Sequence, residues 1–146
     1  MSWKPVETVI APIDFSSSSR TCVLEALNMA RRPDCVHVLH VIPRHGAVSR
    51  LAQTQVPSEE EQLKTSREYL STWLSSNEIE GVRQDVVFGD PGTMIVEYAD
   101  AAGADLIVIP SHGHHGWKRM LLGSVAERVV RHARCPVYVL RRPDAA

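Results

Sequence analysis

The chain has 146 residues, of which 44% are hydrophobic and 23% charged, with a formal net charge of −1. That length suits one domain over residues 1–146, able to bury roughly two thirds of its unfolded surface in a single core. The near-zero charge argues against a nucleic-acid polymer as partner, which draws on clustered Lys and Arg, but leaves room for a single nucleotide held by local donors.

The N-terminal Met1-Ser2-Trp3-Lys4-Pro5 lacks the apolar stretch of a secretory leader. No apolar run approaches about 18 residues, so no membrane span is expected. Thr8 to Asp14 reads as a short buried strand, with Pro12 marking its end because proline is awkward inside a sheet. Ser16 or Ser17 can cap a helix reaching Arg31 or Arg32, with Val23, Leu27 and Ala30 as its apolar stripe, until Pro33-Asp34 breaks it. Cys35 to Ile42 is β-branched and nearly continuous in apolar residues, as expected of a strand covered on both faces.

Arg44 to Val56 has no clear period and reads as a loop. Ser58-Glu59-Glu60-Glu61 is a capping-box signature for a helix with Leu63, Leu70, Trp73 and Leu74 on its buried face and Asn77 at its end. Val82 to Phe88 is a third strand, polar enough to lie near a sheet edge. Asp90 then caps a helix with Pro91 at its first position, Ile95, Tyr98, Ala99 and Ala102 as its stripe, and Gly103 in the left-handed closing position. Leu106 to Ile109 is the fourth strand. Val125, Val129, Val130 and Ala133 give the last helix its core face, Cys135-Pro136 stop it, and Val137 to Leu140 is the fifth strand.

Strands alternate with helices throughout, which predicts a single α/β domain: a parallel sheet with helices on both faces. Cys22, Cys35 and Cys135 are an odd number without a C-x-x-C pair, which fits a reducing cytoplasmic setting better than disulfides or zinc.

The stretch with chemical content joins the fourth strand to the last helix. It runs Pro110-Ser111-His112-Gly113-His114-His115-Gly116, then a basic and apolar insert, then Gly123-Ser124. Glycines let the backbone approach a ligand, unpaired N–H groups at a helix start point at it, and the helix dipole favours an anion. In open α/β sheets the ligand lies outside the carboxyl ends of the strands, where strand order reverses. Asp14, Val41 and the Pro110–Gly113 loop converge there if the first and fourth strands are neighbours.

Each of these residues also has a structural reading. Asp14 offers a carboxylate to a base amine or sugar hydroxyl, or serves as a cap or turn residue before the serines that follow it. Val41 offers an apolar surface to a planar ring, or is plain core. Ser124 and Glu127 form an S-x-x-E capping box that needs no ligand, although a helix start can share its donors. Gly113 and Gly116, in a loop longer than a mere connection requires, favour the phosphate reading.

His112, His114 and His115 do not supply the ligand set of a zinc site, so no metal site is expected; beside phosphates they would make binding tighten as pH falls. Lys118 and Arg119 either reach the phosphate end or are solvated, and Trp117 is a lid or an interface residue. No lysine follows Gly123, so this is not a P-loop. No positioned general base or nucleophile is evident, and catalysis beyond slow hydrolysis of a bound nucleotide is not expected.

From Ser111-His112-Gly113 to Gly123-Ser124 the chain resembles the universal stress protein family, whose nucleotide-binding members carry a Gly-x-x-Gly-x9-Gly-Ser/Thr signature. Gly113 matches the second glycine, the nine-residue gap runs from His114 to Leu122, and Gly123-Ser124 closes it. Pro12-x-Asp14-Phe15-Ser16, Leu39-His40-Val41-Ile42, Gly89-Asp90-Pro91, Gly103 to Val108, Val125 to Val129 and Cys135-Pro136-Val137 also match, so the resemblance covers nearly the whole chain.

The resemblance implies a doubly wound, Rossmann-like five-stranded parallel sheet in the order 3-2-1-4-5 and a homodimer, with the edge strand Val137, Tyr138, Val139 and Leu140 paired to its symmetry mate. It implies ATP or another adenine nucleotide, with or without Mg²⁺. Pro12 and Asp14 would flank the adenosine and Val41 would contact the base. Gly113, Gly123, Ser124 and the Val125 N–H would hold phosphates, and Gly116 recurs in family loops. One residue departs: Pro110 stands at the signature's first glycine, with no N–H and φ held near −65°. The expected function is a regulatory stress-response protein in which nucleotide orders the Ser111–Leu122 loop for an unknown protein partner. The alternative is a dimeric adaptor of the same fold that Pro110 has left without nucleotide.

Overall fold

Short apolar runs and capped amphipathic stretches alternate along the computed structural model, which describes residues 5–44, 57–112 and 122–141. The strands are β1 (Val9–Ile13), β2 (Val36–Ile42), β3 (Arg83–Phe88), β4 (Leu106–Pro110) and β5 (Val137–Leu140). The helices are α1 (Ser17–Met29), α2 (Glu59–Ser76), α3 (Pro91–Ala102) and α4 (Ser124–His132). A 3₁₀ turn over Pro33–Cys35 leads into β2. All five strands pair in parallel in the order β3-β2-β1-β4-β5.

Alternation along each strand sends side chains to two cores. Val9, Ala11, Val36, Val38 and Val108 face α1 and α2, which contribute Cys22, Val23, Ala26, Leu70 and Leu74. Ile10, Leu39, Val41, Ile107 and Ile109 face α3 and α4, which contribute Ile95, Ala99, Ala126 and Val129. A parallel sheet buried on both faces accounts for the unbroken apolar runs of β1 and β4.

The local punctuation forms as expected. The Ser58 hydroxyl accepts from the Glu61 amide at 3.1 Å while the Glu61 carboxylate accepts from the Ser58 amide at 3.1 Å, a complete capping box. Asn77 ends α2, its amide bonded to the Trp73 and Leu74 carbonyls. The Asp90 carboxylate accepts from the Thr93 amide at 3.0 Å, Pro91 opens α3, and Gly103 closes it at φ +63°. β3 lies at an edge, as its polar content implies.

Four expectations are corrected. Pro12 does not end β1; it lies within it, opposite Leu39 of β2, and the strand continues to Ile13. The pairing of β1 with β4 covers only Val9↔Leu106 and Ile10↔Ile107. A residue's N–H and C=O leave an extended strand on the same side, and the Pro12 carbonyl is approached from α1 by Cys22 Sγ, which also donates to the Val108 carbonyl of β4. The missing N–H therefore falls on the β4 side, where the next rung would have reached the Val108 carbonyl; the ladder stops there, and Cys22 Sγ donates to that carbonyl instead. Second, α1 stops at Met29 because the N-terminal chain pairs with its end: the Val6 amide donates to Met29 O at 3.1 Å and the Arg31 amide to Val6 O at 3.0 Å.

Third, Ser124 is not the cap of α4 and the Ser124–Glu127 capping box does not form; Gly123 is the cap residue, without a side-chain bond. Fourth, Val125 and Val130 do not face the core but are 36% and 45% exposed. The phase of α4 is set instead by Ala126 and Val129, and by Arg128, whose stem crosses Gly92 of α3 so closely that an added Cβ there would lie 2.7 Å from Arg128 Cδ.

Candidate functional site

β1 and β4 are the two strands from which the chain winds in opposite directions, and their parallel pairing ends after Ile10 and Ile107. The β1–β2 register, Ile13↔His40, continued by one sets Asp14 beside Val41, and beyond Ile107 the neighbouring β4 runs on through Pro110 to Ser111 and His112. The carboxyl ends of β1, β2 and β4 thus bring Pro12, Asp14, Val41, Pro110, Ser111 and His112 to one mouth of the sheet, at the reversal of strand order.

At this mouth Asp14 is half-buried and tied into the start of α1. Its Oδ1 accepts from the Ser16 amide at 3.0 Å and from the Ser19 hydroxyl at 3.2 Å, and its own amide donates to Ser19 Oγ at 3.3 Å. The turn reading of Asp14 is therefore realised, and Asp14 performs it in place of Ser16, the cap residue of α1, which makes no side-chain cap bond. Ser16 Oγ is buried with no hydrogen-bond partner among the described residues. Between them Phe15 adopts φ +62°. A left-handed backbone costs a non-glycine residue roughly 1–2 kcal/mol, and such strain concentrates at sites of function. The Phe15 ring packs on His40 at 4.6 Å between centroids, on Tyr69 at 4.8 Å and on Trp73 at 5.8 Å.

Beneath the mouth, burial drives the Cys22 thiol far above its ordinary pKa, with the Asp14 charge adding to the effect. Cys22 is thus a neutral donor, its S–H 3.1 Å from the Val108 carbonyl. Val41 is 7% exposed and belongs to the core layer of α3 and α4, so the plain-core reading holds for most of its side chain.

On the β4 side, Pro110 is the last residue of the strand and pairs with Leu140; the next amide, Ser111, donates to Leu140 O at 2.8 Å. Pro110 therefore extends β4 and makes no left-handed turn. Ser111 is 3% exposed, with its Oγ 3.1 Å from His112 Nδ1. The Gly123 amide donates to Ser111 O at 2.6 Å, which anchors the start of α4 against the end of β4.

At φ −69°, Gly123 is not needed for an unusual backbone. It is needed for space, since a Cβ there would lie 3.1 Å from Ser111 O and 3.4 Å from His112 Cα. Ser124 and Val125 follow in the first turn of α4, where backbone N–H groups lack partners inside the helix. They also line a shallow groove of about 340 Å³ with Asp90, Gly92 and Arg128. The Gly113, Gly116, His114, His115, Trp117, Lys118 and Arg119 expectations lie outside the described residues. Among the described residues, no group of three His, Cys, Asp or Glu is arranged to hold a metal ion, and no helix is long and apolar enough to cross a membrane.

Sequence reasoning missed the strained Phe15, and it read Cys22 as a small buried thiol, which it is, but not its bond to Val108. Nothing in a phenylalanine signals positive φ, and a lone cysteine inside a helix stripe reads only as core.

The same fold recurs in known proteins. A universal stress protein of Methanocaldococcus jannaschii is 32% identical over 144 residues, covering 92% of this chain and 82% of that protein. The solved structure of the protein MJ0577 superimposes with a TM-score of 0.75 at 28% identity, covering 97% of this chain and all of that one. Two further solved structures share the fold: a universal stress protein in complex with cAMP (TM-score 0.61, 21% identity, covering 94% of this chain and 98% of that one) and one from Archaeoglobus fulgidus in complex with dAMP (TM-score 0.57, 23% identity, covering 93% and 98%). The family model of the universal stress protein family matches residues 5–141. The chain belongs to the universal stress protein family.

Proposed function

We propose that this protein binds an adenine nucleotide, ATP in the first instance, at the mouth of β1 and β4 and acts in the cytoplasm as a regulatory stress-response protein. The observation that carries the reading is the joint at Gly123. The start of α4 is bonded directly to the end of β4, so close that an added Cβ would sit 3.1 Å from Ser111 O, beside the first-turn amides of a helix. That is the form of a backbone cradle for phosphate.

In this reading the Ser124 and Val125 N–H groups hold phosphates while Gly123, its own amide bonded to Ser111 O, lets the ligand come close, with Gly113, Gly116 and His112 from the same connection. Asp14 and Pro12 flank the adenosine, and Val41 supports the base with the small part of its surface that remains exposed. Mg²⁺ would accompany a triphosphate. The fold shared with complexes of cAMP and dAMP supports the choice of adenine.

We further propose a homodimer through β5. It is a sheet edge, its Tyr138 is 40% exposed, and Val130 of α4 is exposed nearby in sequence.

One observation favours the adaptor alternative: Pro110 reaches the mouth as the last residue of β4 and has no N–H to offer a ligand. Native mass spectrometry of freshly purified protein, followed by calorimetric titration with ATP and Mg²⁺, separates the two. A mass increment of one adenine nucleotide or a saturable heat supports binding. Neither signal would leave the nucleotide-free adaptor.

A further inference from the structure

We propose that Phe15 is a positioning residue for this site: its ring, held by α2 and His40, fixes the corner that presents Asp14 and Ser16 to the ligand. The inference rests on the nucleotide reading and adds a residue and a helix to it. The chain turns through φ +62° at Phe15, and this turn lets the Ser16 amide come back to Asp14 Oδ1 at 3.0 Å. Nothing about phenylalanine favours that backbone, so something outside the turn must hold it.

The ring supplies the hold. It lies tilted at 51° on His40 and edge-on to Tyr69 and Trp73 at 89° and 73°, so β2 and α2 grip one side chain from two directions. His40 braces the same corner a second time. Its Nδ1 is 3.0 Å from the Ile13 carbonyl, and because a carbonyl only accepts, the ring donates there, one residue before Asp14. The corner is thus fixed from its backbone by His40 and from its side chain by the aromatic group. Tyr69, 58% exposed, carries that group to the outer surface of α2. The strength of nucleotide binding should therefore depend on α2 side chains through the preorganisation of Asp14.

Phe15→Gly is the informative variant, because glycine takes positive φ without a steric cost, so the backbone can keep the turn while the ring's hold and its core contacts are lost. The probes are ATP with Mg²⁺ by calorimetry and, without ligand, hydrogen exchange of the Ser16 amide by NMR. Phe15→Gly is expected to weaken ATP binding by about tenfold and to lose Ser16 protection, while Phe15→Trp keeps both. Tyr69→Ala should weaken binding less, and the double variant should bind about as Phe15→Gly does, because the two remove one interaction. Wild-type affinity in Phe15→Gly, or equal losses in Phe15→Gly and Phe15→Trp, would overturn the proposal. If the wild type binds no ATP, the nucleotide reading fails, and the hold on Asp14 is then decided by Ser16 exchange alone: loss of protection in Phe15→Gly sustains it, unchanged protection ends it.

Discussion

Replacing Gly123 by alanine tests whether the joint between β4 and α4 serves a ligand or only the fold. The backbone at this position is ordinary, φ −69°, so alanine meets no conformational penalty. Lost freedom in the unfolded chain would favour it by about 0.4–1 kcal/mol. Alanine is a poorer cap residue than glycine by a similar amount, and the two effects nearly cancel. What remains is the contact: the new Cβ would sit 3.1 Å from Ser111 O, so the helix start must back away by a few tenths of an ångström and lengthen the 2.6 Å bond from the Gly123 amide. A net hydrogen bond contributes about 0.5–1.5 kcal/mol, so the expected loss of stability is about 1 kcal/mol.

The effect on binding should be larger. The amides of the first turn move with the joint, and each charge-assisted bond to phosphate contributes about 1.5–3 kcal/mol, so ATP affinity should fall about tenfold or more. Urea melts read the first quantity and calorimetry the second. A stability loss of that size with unchanged ATP affinity would refute the assignment of the α4 start as a phosphate site.

Gly103→Ala is the matching control. Nothing lies within 4 Å of the new Cβ, but φ is +63°, so it should lose about 1 kcal/mol in urea melts with ATP affinity unchanged. Ser58→Ala breaks the capping box and should cost about 1 kcal/mol of stability by thermal melting, without effect on binding. The Thr93 amide and hydroxyl hold the Asp90 carboxyl below the usual carboxylate range. A group with a lowered native pKa stabilises the fold above its unfolded pKa and loses that contribution as pH falls through the native value. The stability gap between wild type and Asp90→Ala should therefore be full above about pH 4 and shrink below it; a gap constant down to pH 2 would deny the charge its part. Tyr138→Arg in the edge strand should turn a sedimenting dimer into a monomer, and a monomeric wild type at micromolar concentration would refute pairing through β5.

Features written in a few consecutive residues were legible in the sequence. Ser58 with Glu61, Asp90 with Pro91, Gly103 and Asn77 each act within one helical turn, and each forms as expected. The strand order was not legible in this way: it followed from the resemblance to the family, because parallel neighbours such as β1 and β4 meet across almost 100 residues. The errors have the same origin. Whether Pro12 ends a strand depends on where the β4 ladder stops. Whether Ser124 caps α4 depends on the bond from Gly123 to Ser111. Which valines of α4 are covered depends on Gly92 of another helix. At the site, the types and spacing of Asp14, Gly123 and Ser124 pointed to one crevice, while the strained Phe15 and its aromatic grip became visible only when β2 and α2 were in place.

The most direct measurement is an NMR titration of the labelled protein with ATP and Mg²⁺, following backbone amides residue by residue. The account expects saturable shifts at Asp14, Val41, Ser111, Ser124 and Val125, together at one affinity. Shifts at Ser124 and Val125 together with the groove residues Asp90 and Arg128 but none at Asp14, Val41 or Ser111, or none at any of these residues, would contradict it.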